Sequence, residues 1–247
     1  MSNRDISLQL YTLRSLLEED PEGTLARVAE IGYTTVEPYG FVHRAERISD
    51  ALTAHGLSAP TAHVPLLSDD RPTVYAAARR LGVSTLVVPM AAPERWQTRE
   101  SIEGLAADLN RVAAEAADHG FTVGYHNHHF ELELRQNGTH ALEILADRLA
   151  DEVVLEVDTY WAAVGGADVP ALLGRLGNRV AALHLKDGDR TLNTKAQVAV
   201  GDGVLPVEEI LAAAPDALRV VELDDFDGDI LDPVAKSLGF LSGLKDG

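Results

Sequence analysis

The sequence predicts an α/β protein folded as one closed (β/α)8 barrel spanning residues 1–247, and three observations predict it. Eight short β-rich runs alternate with helical patterns from one end of the chain to the other. A glycine follows the helical pattern, a residue or two before a strand begins, at Ile31-Gly32, His55-Gly56, Leu81-Gly82 and Leu176-Gly177. The 247 residues divide into eight units of about 31 each, the size of a βα repeat in such a barrel.

The first run, Ile6 to Tyr11, is interrupted by Ser7 and Gln9 and follows the polar stretch Met1 to Asp5, so it is no signal-peptide core. Gln9 to Arg14 then stand where an open dinucleotide-binding sheet would carry a glycine-rich phosphate loop, which argues for closure. The next three runs are Thr34 to Pro38, Ser58 to His63 and Ser84 to Pro89. A helix then begins at the N-cap Thr98, with Ile102, Leu105, Ala106, Leu109, Val112, Ala113 and Ala116 on one face. Its outer face carries Glu103, Asp108, Glu115 and Asp118, and Gly120 ends it. The last four runs are Thr122 to His126, Val153 to Asp158, Val180 to Leu185 and Leu218 to Leu223. No Pro/Ser-rich linker, charge shift or low-complexity segment divides the chain, and no window reaches the roughly 20 apolar residues of a membrane span. A cytoplasmic location follows as the expectation, with a homo-oligomer left open.

Composition narrows the chemistry. Lys and Arg number 21 against 39 Asp and Glu, for a net charge of -18, so nucleic acid and anionic membranes are poor partners. With no Cys, thiol catalysis, iron–sulfur clusters and Cys-ligated zinc are excluded, and any metal site must be built from His and carboxylates. In a barrel the active site gathers at the C-terminal ends of the strands. All but the fourth run end in polar residues: Gln9 and Tyr11, Glu37, His63, His126 to His128 with Glu131 beyond, Glu156 and Asp158, His184 with Lys186, and Glu222 with Asp224. Asp158, His184 and Glu222 end aliphatic strands and, with a fourth residue from the fifth strand, form a ligand set for Mn²⁺, Mg²⁺, Co²⁺ or Zn²⁺.

Val-Asp-Thr-Tyr-Trp at 157–161, His-Leu-Lys-Asp-Gly-Asp-Arg at 184–190, the Gly201-Asp202-Gly203 loop and Val-Val-Glu-Leu-Asp at 220–224 resemble the sugar phosphate isomerase/epimerase family of xylose isomerase-like barrels. The resemblance extends to residues 9–14, Val36-Glu37, and Tyr125-His126-Asn127-His128 with Phe130-Glu131. It implies a divalent metal on Asp158, His184, Glu222 and a fifth-strand carboxylate, for which Glu131 is the match. A few residues before it, His126 or His128 can take its place. It also implies Glu131 and Glu222 as the acid–base pair.

Around that set, Glu37, His63, His126, His128, Trp161, Lys186 and Arg190 are candidate substrate contacts. Lys186 and Arg190 suit a carboxylate or phosphate, and Trp161 suits a sugar face. Glu37 can alternatively pair with Arg14. His129 is expected on the surface, and Asp224, Asp225, Asp227 and Asp229 are expected to form a solvated acidic loop. The expected function is a metal-dependent isomerase or epimerase that removes the proton α to the carbonyl of a keto-sugar or related polyol and passes through an enediolate. An inosose-type dehydratase shares that intermediate. An endonuclease IV-like hydrolase is opposed by the charge, and a non-catalytic sugar-binding barrel is the remaining alternative.

Overall fold

The computed structural model describes residues 6–67 and 70–244. Its main sheet contains eight parallel strands: β1 (Ile6–Gln9), β2 (Thr35–Glu37), β3 (Thr61–His63), β4 (Thr85–Val88), β5 (Thr122–His126), β6 (Val153–Asp158), β7 (Val180–Leu185) and β8 (Leu218–Val221). Each strand pairs with its sequence neighbour, and β1 also pairs with β8 through Ser7 opposite Val220. The ring closes between β2 and β3 by two parallel bridges, Thr35 with Ser58 and Tyr39 with His63. Pro60 has no N–H to give to a ladder. It leaves Ser58 as an isolated bridge and starts β3 at Thr61, three residues later than the β-rich pattern suggests.

β1 is also shorter than its pattern. The Gln9 side chain accepts from the Tyr11 N–H at 3.1 Å, which turns the chain into a 3-10 helix, Leu10–Leu13. Tyr11 is therefore carried out of the strand and onto the rim. The helix Arg99–Asp118 follows the sequence closely. Thr98 Oγ1 accepts from Ser101 N, and Ser101 Oγ accepts in return from Thr98 N. All seven residues of the expected apolar face are buried, where each large aliphatic side chain contributes roughly 1.5–3 kcal/mol. Gly120 has φ +83°, a left-handed conformation that closes a helix without a Cβ penalty.

Alternation along the strands sends every second side chain into the barrel. The tips contribute Gln9, Glu37, His63, His126, Asp158 and His184, and Glu222 follows β8 directly. Between β6 and β7 the register slips at Leu155/Glu156, so that Asp158 stands beside His184. A cavity of about 630 Å³ opens below this layer, from the N-terminal end of the barrel, and reaches Glu156 past Thr35, Thr61, Thr85 and Ala182. No helix among the described residues is long and apolar enough to cross a membrane.

Candidate active site

The strand tips converge on one polar cluster. His184 lies at its centre, fully buried on β7, with Nδ1 2.8 Å from Glu222 Oε2 and Nε2 2.8 Å from Glu37 Oε1 and 3.0 Å from Glu156 Oε2. Glu156 Oε2 is also 2.6 Å from His63 Nε2 and 3.1 Å from His126 Nδ1. Gln9 Nε2 donates to Glu37 Oε1 at 2.7 Å, so Glu37 is tied inside the barrel rather than to Arg14, whose guanidinium bonds the Tyr11 carbonyl. One layer nearer the mouth, the Lys186 ammonium lies 2.9 Å from Asp158 Oδ2, 2.7 Å from Glu222 Oε2 and 2.8 Å from Asp224 Oδ2.

Burial and charge set the protonation states. Burial alone would discharge His184, but the carboxylates of Glu156 and Glu222 overcome it and hold the ring protonated. Against the same penalty, His184 and His63 keep Glu156 ionised, while Lys186 and His184 do so for Glu222. His126 is driven neutral, first by burial and then by the charge of His184. His128 is pushed down to about 4 by burial and by Lys186. Asp158 is pushed up to about 6 by burial, which Lys186 only partly offsets.

Above the cluster is a cavity of about 310 Å³ at the C-terminal mouth. His63, His126, His128, Lys186, Glu222 and Asp224 face it from below and beside, and Tyr11 and Tyr39 wall it with rings 5.2 Å apart at 85°. Four of the expected substrate contacts thus lie on the cavity: His63, His126, His128 and Lys186. Three do not. Glu37 lies in the layer beneath, Arg190 bonds the Ala163 carbonyl from an exposed loop, and Trp161 is packed against His129 and Tyr160. His129, expected at the surface, is half-buried between Phe130 and Trp161. Asp224 is no solvated loop residue, since it holds Lys186 and Gln197, each at 2.8 Å.

The donor atoms of His126, Asp158, His184 and Glu222 all lie within 4.8 Å of one another, as do those of His63, His126, Glu156 and His184. Asp158, His184 and Glu222 are therefore together as the sequence suggests, and the residue from β5 beside them is His126. Glu131 lies outside both groups. Its carboxylate accepts from Tyr125 OH at 2.9 Å and from the His128 N–H at 2.9 Å. Tyr125 and His126 point to opposite faces of β5, so Glu131 is held on the side of the helices. Glu156, which the sequence places with Asp158 at the end of its run but without a role, is a member of the cluster, because alternation puts both on one face two residues apart.

Burial pushes Glu131 up from 4.5 to about 7. An acid whose folded pKa is raised binds more protons folded than unfolded, so stability falls as pH rises from about 4.5 to about 7. The full penalty above that window is about 3 kcal/mol. Glu131→Gln is expected to flatten this part of the stability curve in denaturant titrations, and parallel curves for the two proteins would rule the charge penalty out.

A match to the xylose isomerase-like TIM barrels spans residues 25–218. No curated protein matches the sequence. Among solved structures, a sugar phosphate isomerase/epimerase from Parabacteroides distasonis is 23% identical at a TM-score of 0.82, with 100% of this chain and 96% of that one covered. The probable 3-DHS dehydratase AsbF of Bacillus anthracis, involved in petrobactin synthesis, is 16% identical at 0.75, covering 98% and 100%. The IOLI protein, which binds a zinc atom, is 15% identical at 0.71, covering 96% and 98%. Identities this low speak for the fold alone. The family match, across most of the strands and the helices between them, decides the assignment: the chain belongs to the xylose isomerase-like TIM barrel family.

Proposed function

We propose that the protein is a sugar isomerase or epimerase that removes the proton α to the carbonyl of a keto-sugar or related polyol. The observation that carries this reading is the convergence of two carboxylates, an ammonium and three imidazoles on one cavity whose floor has a metal-type donor set. The set fits a divalent cation: two carboxylates and two imidazoles face one another, and the buried Asp158 Oδ2 is met only by the Lys186 ammonium, at 2.9 Å. Asp158, His184 and Glu222 would hold the ion, with His126 as fourth ligand where the resemblance implied Glu131. The ion supplies electrostatic stabilisation of the negative charge that develops on the substrate during enolisation.

The chain's own groups do the rest. Glu222, ionised and facing the cavity from the end of β8, takes the α-proton. Lys186, held by three carboxylates, points an ammonium at the same space and steadies an oxyanion. Burial works against a charge on His63, but Glu37 and Glu156 outweigh it and keep the ring protonated. His63 faces the cavity from β3, across the barrel from Glu222, and is the acid that returns a proton to the opposite face. Glu131, on the helix side of β5, takes no part in the proton transfer and instead fixes the backbone of His128, whose ring lines the cavity. Return of the proton to the same carbon gives an epimer, and return to the neighbouring carbon gives an aldose–ketose pair. In D₂O, with a keto-sugar substrate and added divalent metal, deuterium is expected at the carbon next to the carbonyl. Turnover that leaves this carbon unlabelled would overturn the reading.

A further inference from the structure

We propose that Glu156 is a positioning residue that accepts the inner N–H of His126 and of His184 and thereby turns the outer nitrogen of each ring toward Asp158 and Glu222 as a cation ligand. The proposal rests on the cation reading above and adds a determinant from the layer below it. Glu156 is 2% exposed. Its Oε2 lies 3.1 Å from His126 Nδ1, 3.0 Å from His184 Nε2 and 2.6 Å from His63 Nε2, so three rings converge on one oxygen. The other nitrogens of the first two rings face the mouth. His126 Nε2 is 3.9 Å from Asp158 Oδ2, and His184 Nδ1 is 2.8 Å from Glu222 Oε2.

The two tautomers of a neutral imidazole place the N–H on different nitrogens, and an ionised carboxylate only accepts. For the neutral His126 ring, the nitrogen that faces Glu156 must therefore carry the hydrogen, which leaves the lone pair on Nε2 toward the mouth; His184, protonated between Glu156 and Glu222, frees Nδ1 as a ligand only when a cation takes that proton's place. Metal-binding histidines are commonly fixed in this way by an acceptor behind the ring. The two rings do not depend on Glu156 equally. His184 Nε2 has a second acceptor in Glu37 Oε1 at 2.8 Å, whereas Glu156 is the one carboxylate beside His126 Nδ1 among the described residues. His126 is thus the ring that Glu156 controls. The geometry comes from β6 itself, since Glu156 and Asp158 share a face two residues apart and the register slip at Leu155/Glu156 sets both against β7.

The test is long-range ¹H–¹⁵N NMR of the histidine rings, without metal and at a pH where His126 is neutral, together with Co²⁺ titration of wild type and Glu156→Gln. Wild type is expected to show His126 with its hydrogen on Nδ1, and the variant to lose that preference. Its Co²⁺ affinity is expected to fall by about 10- to 100-fold. A wild-type His126 with its hydrogen on Nε2 would overturn the proposal without any variant, and so would Co²⁺ affinity within twofold between the two proteins. Wild-type protein that takes up no Co²⁺ would instead overturn the cation reading, whichever tautomer His126 shows.

Discussion

Glu222→Gln is expected to slow deuterium labelling of the carbon beside the carbonyl by about 10²- to 10⁴-fold, the range for removing a general base. The amide keeps the shape of the side chain but cannot take a proton. The fold should tolerate the change, because Lys186 retains Asp158 and Asp224 as partners and His184 retains Glu37 and Glu156. Circular dichroism and the unfolding midpoint would check this. Labelling at the wild-type rate would show that another group abstracts the proton. Hydride transfer would retain the original hydrogen in the substrate, and phosphodiester hydrolysis would leave the sugar carbons unlabelled.

Asp158→Ala is expected to abolish metal uptake, because it removes one anionic ligand and leaves Glu222 and the imidazoles to hold the ion alone. The same side chain has a second duty. Its Oδ1 accepts from the Trp161 N–H at 2.8 Å and caps the helix Thr159–Val164, an interaction whose loss costs about 0.5–2 kcal/mol. Asp158→Asn separates the two duties, since it keeps a capping oxygen and removes the charge. Elemental analysis of both variants should find little metal, while only Ala loses the cap. Full occupancy in either would refute the assignment. With Asp158 at about 6 in the ion-free site, protons compete for this ligand below that value, so the Co²⁺ affinity of the wild-type protein is expected to weaken as pH falls below about 6.

What could be read from the sequence was local. The helix Arg99–Asp118 is specified by its cap, its apolar period and the glycine after it, all within a few turns of chain. The strand tips were legible because polar residues ending aliphatic runs in a barrel can only gather at one rim. Where a side chain beyond a strand end turns was not legible. Glu131 follows β5 by five residues, past the reach of alternation, and its direction is decided by the Tyr125 hydroxyl. Asp224 looked like one acid among four, because Gln197 and Lys186, which bury it, lie 27 and 38 residues away. Arg190 and Trp161 were read from charge and ring size, neither of which encodes direction. Glu156 is different. The alternation that places Asp158 also places Glu156, but residue type and spacing alone do not say that an acid one layer below the rim holds three imidazoles.

Lys186 gives the acidic mouth a counter-charge that is covalently part of the chain. Where anionic ligands are neutralised only by a captured ion, as the thiolates of small zinc domains are, the polypeptide cannot assemble before the ion arrives. Here Lys186, directly after β7, brings an ammonium to Asp158, Glu222 and Asp224 as the barrel closes, so on the cation reading proposed above folding would come first and loading would be a later, reversible exchange. An incoming ion would compete with an intramolecular occupant whose effective concentration never falls, which would weaken apparent affinity and keep the centre exchangeable. Which metal the proposed site took up would then be a matter of the ion pool it meets after folding, not of the conditions under which the protein was made.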